Sequence, residues 1–168
     1  MILVETDVSE EWDSSTGWVD LADEAVKAAV AESDARHLLA GGVAAEVSVR
    51  FTSDKEVKAL NASWRGKDRA TNVLSFPMLD PAELPSLARA EGESLLGDIV
   101  VAHGVCAEEA AAKGISVRDH ARHLVVHGML HLLGYDHERG DAEAEAMEAA
   151  ERRALAALGV ADPYEMHG

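Results

Sequence analysis

The segment HGMLHLLGYDH, residues 127–137, contains histidines at positions n, n+4 and n+10 and a glycine at n+7. On a helix predicted for residues 117–133, His127 and His131 would lie one turn apart on the same face. Gly134 is typical of a helix that ends in a left-handed turn, after which the chain could reverse and bring His137 to the same ion. Three nitrogen ligands with an open fourth position are the pattern of catalytic rather than structural zinc sites. The segment therefore predicts a metal centre at the end of this helix.

The ion predicted at this centre is one Zn²⁺ per chain, because three neutral imidazoles suit this borderline-soft cation. Nickel, copper and iron(II) remain chemically possible. A histidine pair at helical spacing is usually a coincidence in a chain with eight histidines, but the third histidine and the glycine at matching offsets favour a metal site. His123, one turn before His127, is either a rival ligand or, as we favour, a histidine that supports the site or packs in the core.

The residue after the first histidine distinguishes this segment from the zinc proteases that share its spacing. Metzincin proteases carry a glutamate there as general base, whereas this chain has Gly128. Glycine cannot deprotonate a water molecule, so peptide hydrolysis by the usual route is disfavoured. A metallohydrolase of peptides or small molecules remains an alternative to be tested.

Outside this segment, apolar periodicity and turn residues predict an α+β fold with a small mixed β-sheet packed against several α-helices. The chain length leads us to expect a single domain over residues 1–168. A basic loop is predicted at residues 64–72 and a longer loop at residues 78–94. The predicted strands are residues 1–8, 43–52, 73–76 and 95–102, and the predicted helices are residues 18–32, 53–63, 104–113, 117–133 and 141–158.

The chain is strongly acidic, with a formal net charge of −16, which argues weakly against a nucleic-acid partner. Residues 50–70 reverse this balance, because they hold six Lys and Arg residues against three Asp and Glu residues. A solvated surface explains this cluster as well as an RNA-binding surface does. No apolar run is long enough to span a membrane and the first residues do not resemble a signal peptide, so we expect a cytoplasmic protein with no membrane partner.

Three ordered motifs resemble the YbeY family of bacterial metal-dependent endoribonucleases, which act in ribosomal RNA maturation. The motifs are LNASWRGKDRATNVLSFP at residues 60–77, LGDIVVA at residues 96–102 and HGMLHLLGYDH at residues 127–137. The resemblance implies single-stranded RNA, in particular ribosomal RNA, as substrate, and ribosomal proteins or ribosome-associated factors as partners. It also implies that the functional arginine is Arg65 and that the metal ligands are His127, His131 and His137.

Arg65 and His127 are the catalytic candidates. Phosphodiester cleavage needs a Lewis acid, an activated nucleophile and a cation for the charge that develops on the phosphate. A metal ion on His127 would supply the first two, and the planar guanidinium of Arg65 can bind two phosphate oxygens at once. On sequence alone, a surface salt bridge to Asp68 is the competing interpretation of Arg65. The sequence leaves open whether water or a ribose 2′-hydroxyl attacks the phosphate.

The other polar residues near these motifs have weaker interpretations. Asp98 could support a ligand histidine or bridge structural elements, and Asp136 could orient a ligand, take a proton or shape the turn. Ser75 is expected to pack within a strand and Cys106 to be a small buried residue. Asn72 stands where aspartate is more frequent in the family, and we assign it no catalytic role. A function of another class, a ribosome-assembly binding factor with a structural metal, is disfavoured by the open fourth position.

Overall fold

The computed structural model describes residues 1–40, 43–84, 92–136 and 140–164. His137, the third predicted metal ligand, lies outside the described residues, as does part of the loop predicted at residues 78–94. Within the described ranges, no helix combines the length and the apolar character that crossing a membrane requires.

Four strands in the described part of the chain form a mixed sheet, and they are β1 (Ile2–Val8), β2 (Val43–Thr52), β3 (Val73–Pro77) and β4 (Gly92–Ala102). Their spatial order is β1-β2-β4-β3, in which β1, β2 and β4 run parallel and β3 is antiparallel to β4. The predicted α+β class and small mixed sheet are confirmed. β3 lies at an edge of the sheet.

The helices in the described ranges include α1 (Trp18–Ala31), α2 (Asp54–Arg65), α3 (His103–Lys113), α4 (Val117–Leu132), α5 (Asp141–Ala157) and a short 3₁₀ helix (Arg36–Leu39). Most of the predicted ends are correct to within two residues. For α2, Ser53 caps the first turn by accepting a hydrogen bond from the backbone N–H of Glu56 at 3.2 Å. This helix continues through Arg65 and ends where Gly66 adopts a left-handed conformation with φ 69°. The basic loop predicted at residues 64–72 is therefore wrong at its start, and Arg65 lies in a helical turn.

Alternation along β4 divides the core between the two faces of the sheet. Ile99 and Val101 belong to the large core cluster that also holds the buried residues of α1, α4 and α5. Val100 and Ala102 pack with Val57 of α2 on the other face. The helix that carries the histidine motif and the helix that carries the functional arginine candidate thus lie on opposite faces of the sheet. Both contact the edge strand β3.

Close packing of α4 on the sheet depends on Gly128. A Cβ atom at this position would lie 2.9 Å from Cγ2 of Ile99, 3.1 Å from Oγ of Ser75 and 3.4 Å from Cγ2 of Val73. The Ser75 hydroxyl donates a hydrogen bond of 3.0 Å to the backbone carbonyl of Gly128, which fixes the helix on the edge strand. A glutamate side chain has no room here, so the absence of the protease general base follows from the packing of the fold.

This packing predicts that Gly128→Ala destabilises the protein, although the same change inside an unhindered helix stabilises it by about 1 kcal/mol. The added methyl group must displace Ile99 or lift α4, and overpacking of this kind typically costs about 1–3 kcal/mol. We expect a net loss of stability in urea unfolding followed by circular dichroism. A variant more stable than the wild type would show that α4 does not pack tightly at this point.

Candidate metal centre

His127 and His131 face each other on α4, one helical turn apart. Their Nε2 atoms are 3.1 Å apart and their ring centroids 4.6 Å apart. Two imidazole nitrogens that bind one zinc ion at about 2.0–2.1 Å in tetrahedral geometry are about 3.3 Å apart. The two nitrogens are therefore spaced to share an ion without rearrangement of the helix.

The end of α4 turns the chain back as the sequence predicts. Gly134 has φ 100°, its N–H donates to the carbonyl of His131 at 3.0 Å, and the N–H of Tyr135 donates to the carbonyl of Leu130 at 3.0 Å. These two bonds form a Schellman motif, which ends a helix and reverses the chain. The predicted left-handed turn is confirmed. The contribution of His137 to the ion remains a prediction, since this residue lies outside the described ranges.

Glu151 of α5 is a fully buried carboxylate directly behind these histidines. Its Oε1 atom is 2.6 Å from Nδ1 of His127. Its Oε2 atom is 2.9 Å from Nε2 of His123 and 2.5 Å from the hydroxyl of Tyr164. Sequence analysis missed this residue, although a signal exists. Glu151 lies on the same helical stripe as the buried residues Met147, Ala150, Ala154 and Leu155 of α5.

The contacts of Glu151 keep it ionised despite its burial. Desolvation by itself raises the pKa of this carboxyl group, but hydrogen bonds from His123 and His127, together with the charges of these residues, lower the pKa to about 2. An ionised carboxylate only accepts hydrogen bonds, so both imidazoles must donate to it. The Nδ1 atom of His127 therefore carries a proton toward Glu151, and its Nε2 atom faces His131.

A second set of side chains could hold a metal ion. One ligand atom from each of His123, His127 and Glu151 lies within 4.8 Å of the others. The 2.6 Å separation of Glu151 Oε1 from His127 Nδ1 is a charge-assisted hydrogen bond, and is well short of the roughly 3.3 Å between two ligands of a tetrahedral zinc ion. An ion among these atoms would also break the hydrogen bonds that satisfy a fully buried charge. The donor chemistry thus favours the face shared by His127 and His131.

The guanidinium of Arg65 is anchored to the edge strand. Its Nη2 atom donates a 3.0 Å hydrogen bond to the carbonyl of Ser75, and its Cζ atom lies 5.9 Å from the ring centroid of Phe76. Arg65 thus contacts the backbone of β3. The alternative partner suggested by the sequence was Asp68. Because the hydroxyl of Ser75 binds Gly128, a short chain of hydrogen bonds joins Arg65 to the residue next to His127.

A basic groove of 390 Å³ begins beside Arg65, and the cations that line it are Arg65, Lys67 and Arg69. Asn72 and Glu109 also line this groove. The amide of Asn72 donates to Glu109 at 3.1 Å, and Glu109 also accepts from the buried His120 at 2.8 Å. An aspartate at position 72 would place a second carboxylate against Glu109, which explains why asparagine suits this chain.

The remaining candidates are Asp98, Cys106 and Asp136. Asp98 lines a separate groove with Glu5 and Asp7, on the face opposite Ile99 and α4, so among the described histidines it does not support His127 or His131. Cys106 is fully buried, and desolvation raises the pKa of its thiol to about 12, as expected for a packing residue. Asp136 follows the helix-ending turn directly, and its role stays open.

Comparison with known proteins identifies relatives along nearly the whole chain. The family model described as Endoribonuclease YbeY matches residues 7–159. Proteins named Endoribonuclease YbeY from Novosphingobium aromaticivorans and Rhizorhabdus wittichii are 53% and 52% identical to this chain, each over 165 residues. These matches cover 96% and 98% of this chain and 95% and 97% of the relatives. The solution structure of TM1509 from Thermotoga maritima has a TM-score of 0.55 at 22% identity and covers 98% of this chain and 100% of that chain, which supports the fold.

The two possible ligand sets predict opposite results for two histidine variants. We expect His131→Ala to lose tightly bound zinc, because it removes one of the two facing Nε2 atoms. His123→Ala should still hold one equivalent at saturating zinc, because His123 only donates to Glu151. Metal analysis after reconstitution and gel filtration measures both. Loss of zinc in His123→Ala with retention in His131→Ala would place the ion at Glu151 instead.

The lowered pKa of Glu151 predicts that the free energy of unfolding of the metal-free protein decreases as the pH falls below about 5. Because the folded-state pKa of about 2 lies below the ordinary value of 4.5, the carboxylate stabilises the fold fully above about pH 5 and loses this effect as the pH falls toward about 2. Glu151→Gln should therefore be less stable at pH 7, by about 3 kcal/mol, and the difference should narrow in acid. Urea unfolding of both proteins from pH 7 to pH 3 with a chelator present measures it. A difference that does not change with pH would contradict the assignment of an ionised Glu151.

Proposed function

Because this chain belongs to the YbeY family of endoribonucleases, we propose that it is a metal-dependent endoribonuclease that cleaves single-stranded RNA during ribosomal RNA maturation. The observation that carries the proposal is the pair of Nε2 atoms 3.1 Å apart on His127 and His131, backed by the hydrogen bond from His127 to Glu151. This arrangement prepares two nitrogen ligands on one side of an ion and leaves the other side for His137 and the substrate.

The proposed ligands are His127, His131 and His137, with one zinc ion per chain and other divalent transition metals as chemical alternatives. When bound, such an ion supplies the Lewis acidity that polarises a phosphate oxygen and lowers the pKa of an attacking hydroxyl group. Glu151 orients the ring of His127 by its hydrogen bond, and the turn at Gly134 ends α4 just after His131. Peptide hydrolysis is disfavoured, because the packing around Gly128 leaves no space for the glutamate base of a zinc protease.

Arg65 is proposed to stabilise the negative charge that develops on the phosphate as the RNA backbone is cut. One guanidinium nitrogen is held by the carbonyl of Ser75, which limits the directions in which the remaining N–H donors can point. Five donors in a planar fork leave enough for two phosphate oxygens after this bond is made. A preorganised cation of this kind costs little reorganisation when the charge appears.

The RNA strand is proposed to approach along the basic groove of Arg65, Lys67 and Arg69. Backbone phosphates provide most of the affinity in such sites, and this affinity falls as salt is added. The overall charge of −16 opposes RNA binding elsewhere on the surface. RNA binding is thereby favoured at residues 50–70, which hold six Lys and Arg residues against three Asp and Glu residues. A positively charged groove that follows the backbone is typical of proteins that bind single strands.

Ribosomal RNA as the substrate, ribosomal proteins as partners and the cytoplasm as the site of action are extensions of this proposal. Two findings support them: the family description, Endoribonuclease YbeY, names an RNA-cleaving activity, and the relatives are bacterial proteins. A ribosome-binding role without catalysis is the competing outcome. Tight ribosome binding by a zinc-loaded protein that cuts no RNA would favour it.

Substitution of Arg65 separates catalysis from scaffolding. We expect Arg65→Ala to slow single-turnover cleavage of a single-stranded RNA by about 10²–10³-fold, as is typical when a preorganised charge-stabilising donor is lost. Arg65→Lys keeps the charge but not the planar fork, so it should be impaired to a smaller extent. Saturating enzyme in single-turnover conditions separates the chemical step from binding.

The matched control is Arg118→Ala, because Arg118 is an exposed arginine near the start of α4. This variant loses the same charge and should cleave at the wild-type rate. Zinc content and melting temperature should stay near wild type in all three variants, since none removes a proposed ligand. Equal rates for Arg65→Ala and the wild type would exclude a catalytic role for Arg65.

A further inference from the structure

We propose that Glu151 is the positioning residue of the metal centre, and that Tyr164 and His123 hold it so that His127 presents a proton-free Nε2 atom to the ion. The inference rests on the proposed metal-binding role of His127 and His131. It extends that role to α5 and to the segment that follows it.

The hydrogen bonds around Glu151 admit one arrangement of protons. Oε1 accepts from Nδ1 of His127, and Oε2 accepts from both Nε2 of His123 and the hydroxyl of Tyr164. A neutral imidazole has one N–H group, so the proton on Nδ1 of His127 leaves Nε2 with its lone pair. Metal-binding histidines need this lone pair, and a carboxylate on the other ring nitrogen both fixes the ring and raises its basicity.

His123 has the opposite proton arrangement. Its Nε2 atom donates to Glu151, while its buried Nδ1 atom has no hydrogen-bond partner among the described residues. Buried acceptors are left unpaired more readily than buried N–H groups, which agrees with a ring proton on Nε2 and none on Nδ1. Because its Nε2 atom donates to Glu151, His123 acts on the centre through that carboxylate.

Tyr164 is brought to Glu151 by contacts that return the chain onto α5. Arg152 pairs with Asp162 at 3.1 Å, the N–H of Tyr164 donates to Asp162 at 2.8 Å, and the Arg152 guanidinium lies 5.4 Å from the ring centroid of Tyr164. The phenol thus reaches a carboxylate that water does not reach. Because Oε2 accepts from Tyr164 and His123 together, the carboxylate cannot rotate away from His127 without breaking these bonds.

Glutamine at position 151 tests this arrangement with almost no change in shape. Its amide has one accepting oxygen and one donating NH₂ group. On one side of the cluster this NH₂ group would therefore meet another hydrogen-bond donor. Loss of a supporting partner of a ligand histidine typically weakens metal affinity about 10–100-fold. Tyr164→Phe removes a single donor and should weaken zinc binding by a smaller factor, about three- to tenfold.

The experiment measures the zinc dissociation constant of the full chain by competition with a chromophoric chelator. It compares wild type, Glu151→Gln, Tyr164→Phe and the control Glu145→Gln, which removes a charge from an exposed position of the same helix. Imidazole ¹⁵N chemical shifts of the metal-free proteins report the proton position on His127. We expect the Nδ1–H form in wild type and in the control, and a shift toward the Nε2–H form in Glu151→Gln.

Zinc affinities of Glu151→Gln and Tyr164→Phe within twofold of the control would overturn the inference, as would an Nε2–H form of His127 in the wild type. The tyrosine variant keeps the test decisive if Glu151→Gln does not fold. Cleavage of RNA is assayed separately on the zinc-loaded wild type. Failure of that assay with the affinity pattern intact would refute the proposed function and leave the role of Glu151 standing.

Discussion

The close approach of α4 to the edge of the sheet is the constraint on which the site depends. At Gly128 the helix lies so near Ile99 and Ser75 that a side chain would not fit, and the hydroxyl of Ser75 binds the helix backbone there. The residue before this contact is His127, and the strand beneath it also holds the guanidinium of Arg65. One packing contact therefore sets the distance between two groups that come from opposite faces of the sheet.

Three histidines of α4 bind carboxylates of neighbouring helices and so join this helix to other elements. His120 binds Glu109 of α3, which also accepts from Asn72 just before β3. His123 and His127 bind Glu151 of α5. Glu151 and His120 are buried polar groups, which are costly unless they are hydrogen-bonded, so these contacts specify how the helices must dock. The same bonds orient the imidazoles, and stability and site geometry thus rest on shared interactions.

The parts of the fold and site that could be predicted from sequence are those encoded by short-range spacing. Helical periodicity, the cap at Ser53 and the turn at Gly134 depend on neighbouring residues, and so does the facing of His127 and His131. Glu151 was missed because its burial depends on the docking of α5 against α4, which no local pattern records. Arg65 was placed in a loop because Gly66 ends the helix two residues later than the predicted end at Ser63. Its hydrogen bond to a strand carbonyl likewise depends on tertiary packing.

The dependence of His127 on Glu151 has a consequence for the order of events during synthesis. Glu151 follows His127 by 24 residues and Tyr164 follows Glu151 by a further 13. Translation proceeds from the N-terminus, so α5 and Tyr164 are made after α4. A nascent chain that has completed the sheet and α4 still lacks the carboxylate and the phenol behind its histidines. The hydrogen bonds behind His127 therefore form only after α5 and Tyr164 have been made.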